Sequence, residues 1–150
     1  MDYVKYIRSL VGHNKIILNA AGGVILDNGK ILLQKRSDNN RWGLFGGIME
    51  LGETYNECAK REIKEETGLE VSLDYLIGIY HNKDCKWPSG DMAHVIVAVY
   101  KATIISGELK IDNESLEAKW FSLDDLPEIG SKDHYDAIMD LKMGLKNQVK

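Results

Sequence analysis

The stretch from Gly47 to Leu69, GIMELGETYNECAKREIKEETGL, constrains the chain more than any other segment. Thr54 stands where a helix N-cap is expected, Glu57 three residues later completes a capping box, and Gly68 supplies the C-terminal stop. Between those ends Glu62, Glu65 and Glu66 fall at i, i+3 and i+4, so their side chains share one face. Like charges so placed repel, by about 0.2–0.5 kcal/mol per exposed pair and by more when partly buried. A divalent cation reverses the sign. Oxygen ligands select magnesium, calcium or manganese, and magnesium takes few carboxylates, leaving its other positions to water and phosphate oxygens. A solvated, salt-bridged helix is the competing reading, because Glu57 to Arg61 and Arg61 to Glu65 are both i,i+4 ion pairs.

What precedes the helix tips that balance. Gly46 and Gly47, then Gly52 after Glu50, predict a loop that turns sharply or approaches a ligand closely. A glycine loop opening a helix also presents backbone dipoles to anions. Loop and helix together resemble the Nudix box, G-x5-E-x7-R-E-U-x-E-E-x-G-U with U aliphatic. Gly47, Glu53, Arg61, Glu62, Ile63, Glu65, Glu66, Gly68 and Leu69 fill every defined position. More loosely, NAAGGVIL, KILLQKR and KWFSLDDLP are similar to the family's first two strands and its closing strand and turn.

The resemblance implies an α/β/α sandwich around a mixed β-sheet, and hydrolysis of a phosphoanhydride in a nucleoside diphosphate linked to a further group, such as a (d)NTP, ADP-ribose or a nucleotide sugar. It implies Glu62, Glu65 and Glu66 as metal ligands, joined by the Gly46 carbonyl, with magnesium as the cofactor and manganese as a substitute. Arg61 reads as a brace that pairs with Glu53 and fixes ligand geometry. A further carboxylate, serving as metal ligand or general base, is expected before the closing strand. Glu114 and Glu117 are its candidates, Glu114 being preferred for its six-residue spacing from Trp120. Glu62 or Glu65 takes that role if neither does. Where many members carry proline before the paired glycines this chain has Phe45, either an aromatic wall for the site or a core residue.

Length and charge agree with a small-molecule enzyme. A chain of 150 residues makes one domain, 1–150, burying roughly two thirds of its unfolded surface. The net charge of −4 and the lack of a basic tract argue against a nucleic-acid surface and against RNA decapping, leaving a nucleotide to be met by local Lys, Arg and metal. Cys58 and Cys85 form no disulfide framework and read as reduced thiols. MDYVKYIRSLVG carries charges throughout and no apolar core, so it is not expected to be a signal peptide, and no run has the length of a membrane span. A cytoplasmic location is the expectation.

Along the chain, Tyr3, Val4, Ile7 and Leu10 predict a short amphipathic helix at about 2–11, covering the sheet or a partner subunit in a homodimer. Strands are predicted at 16–26 and 30–36 around an Asp27-Asn28-Gly29 hairpin, a short extended piece at Trp42–Leu44, and further strands at 70–80, 92–104 and 117–122. A last helix at about 132–145 turns Tyr135, Ile138, Leu141 and Leu145 inward. The segment 81–91 reads as a long loop in which His81, Lys83, Lys86 and Trp87 contact phosphate or stack on a base, or else as a solvated Pro-Ser-Gly turn. Gln34 and Arg36 lie near the site by resemblance, and Arg36 either reaches a phosphate or is an exposed strand-end cation. Glu50 is a metal or substrate contact, or a surface charge, and His94 is a hydrogen-bonded sheet residue. Two rivals remain: a catalytically silent nucleotide sensor, which commonly lacks box glutamates that this chain keeps, and a box-bearing diphosphate isomerase, which needs a catalytic cysteine.

Overall fold

The computed structural model describes residues 2–150. In chain order the elements are α1 (Tyr3–Val11), β1 (Ile16–Asp27), β2 (Lys30–Arg36), β3 (Trp42–Gly43), β4 (Phe45–Ile48), α2 (Tyr55–Thr67), β5 (Leu69–Lys86), β6 (Met92–Gly107), β7 (Ser115–Ser122), α3 (Lys132–Lys142) and β8 (Gln148–Val149). The β1–β2 connection has Asn28 at φ 51° and Gly29 at φ 75°, the paired positive values that a tight hairpin matching strand twist demands. β1 then organises the sheet. It runs parallel to β6 from Ile16 to Ile25 and antiparallel to β4 at Ala20–Gly23, which makes the sheet mixed. β6 and β5 form a long antiparallel ladder whose ends are Leu69 with Gly107 and Lys86 with Met92.

That ladder corrects the reading of 81–91 as a long loop. β5 continues to Lys86, and only Trp87–Asp91 forms the connection, closed by Trp87 N–H donating to the Asp91 carbonyl at 3.0 Å. Cross-strand pairing with β6 overrides the polar letters of His81–Lys86.

Side chains alternate across the sheet. On β1, Leu18, Ala20 and Val24 join the buried cluster that holds Ala137, Ile138 and Leu141 of α3, with Tyr3 and Ile7 of α1 packed against it. Ala21 and Ile25 point the other way, into the clusters that hold Cys58, Ala59 and Ile63 of α2. Helices therefore cover both faces, and α1 covers the chain's own sheet. Two helical expectations need correction. Leu10 is 66% exposed and Tyr135 48% exposed, and α3 stops at Lys142 so that Leu145 lies beyond it. A three-turn helix against a sheet buries a narrow stripe, and these residues fall at its margins. Among the described residues no helix is long and apolar enough to cross a membrane.

Candidate active site

α2 starts and stops where its letters require. Thr54 accepts a hydrogen bond from Glu57 N–H, the Glu57 side chain accepts from Thr54 N–H at 2.9 Å, and Gly68 adopts the left-handed conformation at φ 74°. Cys58, Ala59, Ile63 and Thr67 go into the core, which leaves Glu62, Glu65 and Glu66 along the edge of the helix beside β4. Gly46 and Gly47 are strand residues of β4 and not a turn, because each pairs with β1; of the three glycines only Gly52 has positive φ, 85°. What Gly47 supplies is room. A Cβ there would fall 2.4 Å from the Glu62 carboxyl carbon, so glycine is what lets that carboxylate lie against the strand.

Arg61 gathers the acids around it. Its Nε and Nη2 donate to the two Glu53 oxygens, the latter at 3.0 Å, and Nη1 donates to Glu62 Oε1 at 2.8 Å and Glu65 Oε2 at 3.3 Å. Nη2 also reaches the Ile48 carbonyl at 3.2 Å, and Glu53 Oε2 accepts from Glu50 N–H at 2.9 Å. One planar fork thus ties the loop, β4 and α2 together. Its hydrogen bonds hold the Glu53 carboxyl below the usual carboxylate range. Glu62 shifts upward instead, because burial outweighs its contacts with Arg61.

Glu66 is the most deeply placed acid, 1% exposed. Its oxygens accept from Gln34 Nε2 at 3.0 Å and from Gly46 N–H at 3.2 Å, both neutral donors. Gln34 is itself fixed by the Leu44 carbonyl at 2.9 Å and by the Ser115 hydroxyl. Burial, then the charges of Glu62 and Glu114, push the Glu66 carboxyl up to about 9. Ser115 has no signal in the sequence.

A cleft of about 770 Å³ opens onto Glu62, Glu65 and Glu66. Glu114 lines it, tied down by its carbonyl, which accepts from Ser37 N–H at 2.9 Å, and burial raises its carboxyl above the ordinary value. Glu117 sits in β7 opposite Lys35 and faces Lys119 at 3.7 Å, outside the residues that line the cleft. Arg36 lines the cleft and holds Asp38 through two bonds of 3.0 Å. Trp87, half-buried, stands at the same cleft. Phe45 borders the cleft and is also a core residue. It is 1% exposed, its ring packed with Ile25, Leu32 and Ile63, because alternation along β4 turns it to the core. His81 and His94 pair with each other at 2.8 Å. Asp133 and His134 line the cleft without any signal in the sequence: Asp133 is 8% exposed with no partner for Oδ1 among the described residues, and His134 Nδ1 accepts from Leu44 N–H at 3.1 Å.

The residues suit a hard divalent cation. Every donor is an oxygen, Glu66 is a buried acid without a cation beside it among the described residues, and Glu62 lies in a space that a side chain at Gly47 would fill. Among the described residues no three acid, imidazole or thiol side chains close into a cage, since Arg61 draws Glu62 and Glu65 to itself. An open site completed by water and phosphate oxygens fits that arrangement.

A mixed sheet between helices thus sets a carboxylate-rich helix edge against the cleft, an α/β architecture. The NUDIX domain model matches residues 17–141, and the chain belongs to the Nudix hydrolase family. It is 43% identical over 124 residues to an ADP-ribose pyrophosphatase of Methanocaldococcus jannaschii, covering 81% of this chain and 70% of that protein. It is 33% identical over 125 residues to a putative 8-oxo-dGTP diphosphatase of Bacillus subtilis, covering 83% and 78%. The crystal structure of a MutT NUDIX hydrolase from Burkholderia pseudomallei superposes with a TM-score of 0.74 at 29% identity, over 83% of this chain and 98% of that one. Members of the family generally use divalent metal ions.

Proposed function

We propose that the chain hydrolyses the phosphoanhydride bond of a nucleoside diphosphate linked to a small group, with ADP-ribose first among candidates, using magnesium held by Glu62, Glu65, Glu66 and the Gly46 carbonyl. The observation that carries this reading is Glu66: a carboxyl 1% exposed whose hydrogen-bond donors among the described residues are neutral amides. Such a group is costly to ionise until a cation arrives. The similarity to the Methanocaldococcus jannaschii enzyme is what puts ADP-ribose ahead of nucleotide sugars and (d)NTPs.

Bound magnesium would neutralise the phosphate oxygens that otherwise shield phosphorus from attack. The chain's own part is positioning and proton transfer. Arg61 keeps Glu62 and Glu65 in place while Glu53 anchors it from the loop. Glu114, raised above its ordinary pKa by burial, accepts the proton of the attacking water. The water oxygen bonds to phosphorus, the bridging oxygen leaves with its electron pair, and two phosphomonoesters depart, a nucleoside monophosphate and the phosphorylated group. Arg36 and Trp87 bind the nucleotide at the cleft wall.

The test is a panel of ADP-ribose, nucleotide sugars, (d)NTPs, dinucleoside polyphosphates and NADH with magnesium, assayed for monophosphate, phosphate and pyrophosphate. AMP and ribose 5-phosphate from ADP-ribose are expected, with loss of turnover in excess EDTA while the fold survives. Nucleotide binding without any product identifies a sensor and overturns the proposal, as does turnover unchanged by EDTA.

A further inference from the structure

Helix α1 precedes the segment matched by the family model, which begins at residue 17, yet Asp2 and Val4 line the cleft. Its two ends are fastened to two different segments that border the cleft. At the C-terminal end Arg8, with its side chain 10% exposed, donates to the Met92 carbonyl at 2.7 Å and to the Asn14 carbonyl at 2.7 Å, and stands 3.7 Å from Asp91. Asp91 in turn closes the turn that carries Trp87, accepting Trp87 N–H on its carbonyl and Ser89 Oγ on its carboxylate. At the N-terminal end Tyr3 N–H donates to Glu50 Oε2 at 3.0 Å, and Glu50 N–H donates to the Glu53 carboxylate that grips Arg61. Along the helix Tyr3 and Ile7, partly buried, pack against the core. One nine-residue helix, roughly 13 Å long, thereby links the Trp87 turn to the loop before α2.

We propose that α1 is a strap that sets the separation of the two cleft rims and so governs nucleotide affinity, with Arg8 as its positioning residue. The effect on catalysis rests on the function proposed above; the mechanical linkage does not. Arg8 touches no reacting group. Its loss frees the Trp87 turn while the carboxylates along α2 keep their own anchor in Arg61. Ground-state binding should therefore weaken while the chemical step persists.

The experiment compares Arg8→Gln and Asp91→Asn with the wild-type protein, by amide hydrogen exchange and by steady-state kinetics on the best substrate of the panel. Exchange should quicken at Trp87 and Gly90, whose amides close the turn, and at Glu53, whose amide closes the opposite loop. KM should rise about 10-fold with kcat within about 2-fold. Should Arg8→Gln fail to fold, Asp91→Asn carries the same test with a smaller structural change. Unchanged exchange at Glu53 in both variants overturns the strap. Faster exchange with KM unaltered overturns its role in affinity, as does a fall in kcat at constant KM. If the wild-type protein turns over nothing in the panel, the function proposal fails and the affinity role with it, while the exchange measurements still decide the linkage.

Discussion

The α3 face of the sheet and the α2 face each bury an acid, and they treat it oppositely. Under α3, Asp140 is 3% exposed and is met by the Tyr80 hydroxyl at 2.7 Å and the Lys150 ammonium at 2.9 Å. Burial raises its carboxyl, but Lys150 and Tyr80 outweigh that and leave it below the usual range. Under α2, Glu66 is as deeply buried and accepts from the Gln34 and Gly46 amides, with Glu62 and Glu114 adding repulsion. One acid is neutralised within the fold and serves stability. The other meets no cation among the described residues and keeps its proton, and a buried acid left without a partner charge marks a functional site better than a balanced one.

The largest effect should follow substitution of that unbalanced acid. Glu66→Gln is expected to lower kcat by about 10³-fold or more, because it removes a proposed metal ligand while keeping shape. In metal-free protein the same change should stabilise. Folded Glu66 keeps its proton to about pH 9 and the unfolded chain releases it near 4.5, so the folded state binds more protons between these values and stability falls as pH rises through them. The glutamine variant should lack that decline. Asp140 has the opposite sign: its depressed pKa adds stability above the ordinary carboxylate range, lost as pH falls through the folded value. Thermal melts from pH 4 to 9 in EDTA check both. A metal-free Glu66→Gln protein less stable than wild type at pH 8 would put Glu66 in the same class as Asp140.

Next in size is the proposed base. Glu114→Gln should reduce kcat about 10²-fold with modest change in KM, and Glu117→Gln, whose side chain faces Lys119 outside the cleft, should be mild. A crippled Glu117 variant beside a normal Glu114 variant reverses the assignment. Two normal variants move the base to Glu62 or Glu65.

Arg61→Lys should cost about 10-fold in kcat together with some stability, since a lysine cannot span Glu53, Glu62 and Glu65 as the fork does. Wild-type behaviour in both assays would make the pairings incidental.

These residues differ in how legible they were. The box glutamates, the capping of α2 and the Asn28-Gly29 hairpin are local signals, and each reappears in the structure at its predicted place. What escaped is long-range. Ser115 reaches Gln34 across 81 residues, and Asp133 and His134 reach the cleft because α3 packs behind β5. No spacing along the chain encodes those meetings. Lys86 remains in β5 because β6 pairs with it, although a polar strand end reads locally as loop, and the pairing of β4 with β1 is what gives Phe45 its place in the core, one of its two readings. Sheet register decides such positions, and register is a property of two strands at once.

The smallest effect on turnover should distinguish the two faces most sharply. Ile63 under α2 and Ile138 under α3 are both fully buried isoleucines, one per face. Each truncation to alanine should cost about 2–5 kcal/mol, the transfer and cavity terms for losing most of a buried side chain. The kinetic consequences should part. Ile63 directly follows Glu62 and presses the acid-bearing turn of α2 onto the sheet, so a cavity beneath it lets those carboxylates shift, and kcat should drop several-fold at temperatures where the variant remains folded. Ile138 lies beyond the Asp133–His134 turn that borders the cleft, so Ile138→Ala should leave kcat nearly unchanged under the same conditions. Denaturant melts paired with single-temperature kinetics measure both quantities. Equal kinetic losses for equal destabilisation would mean that the α3 face contributes to chemistry as much as the α2 face, and the contrast between Asp140 and Glu66 would then lose its functional meaning.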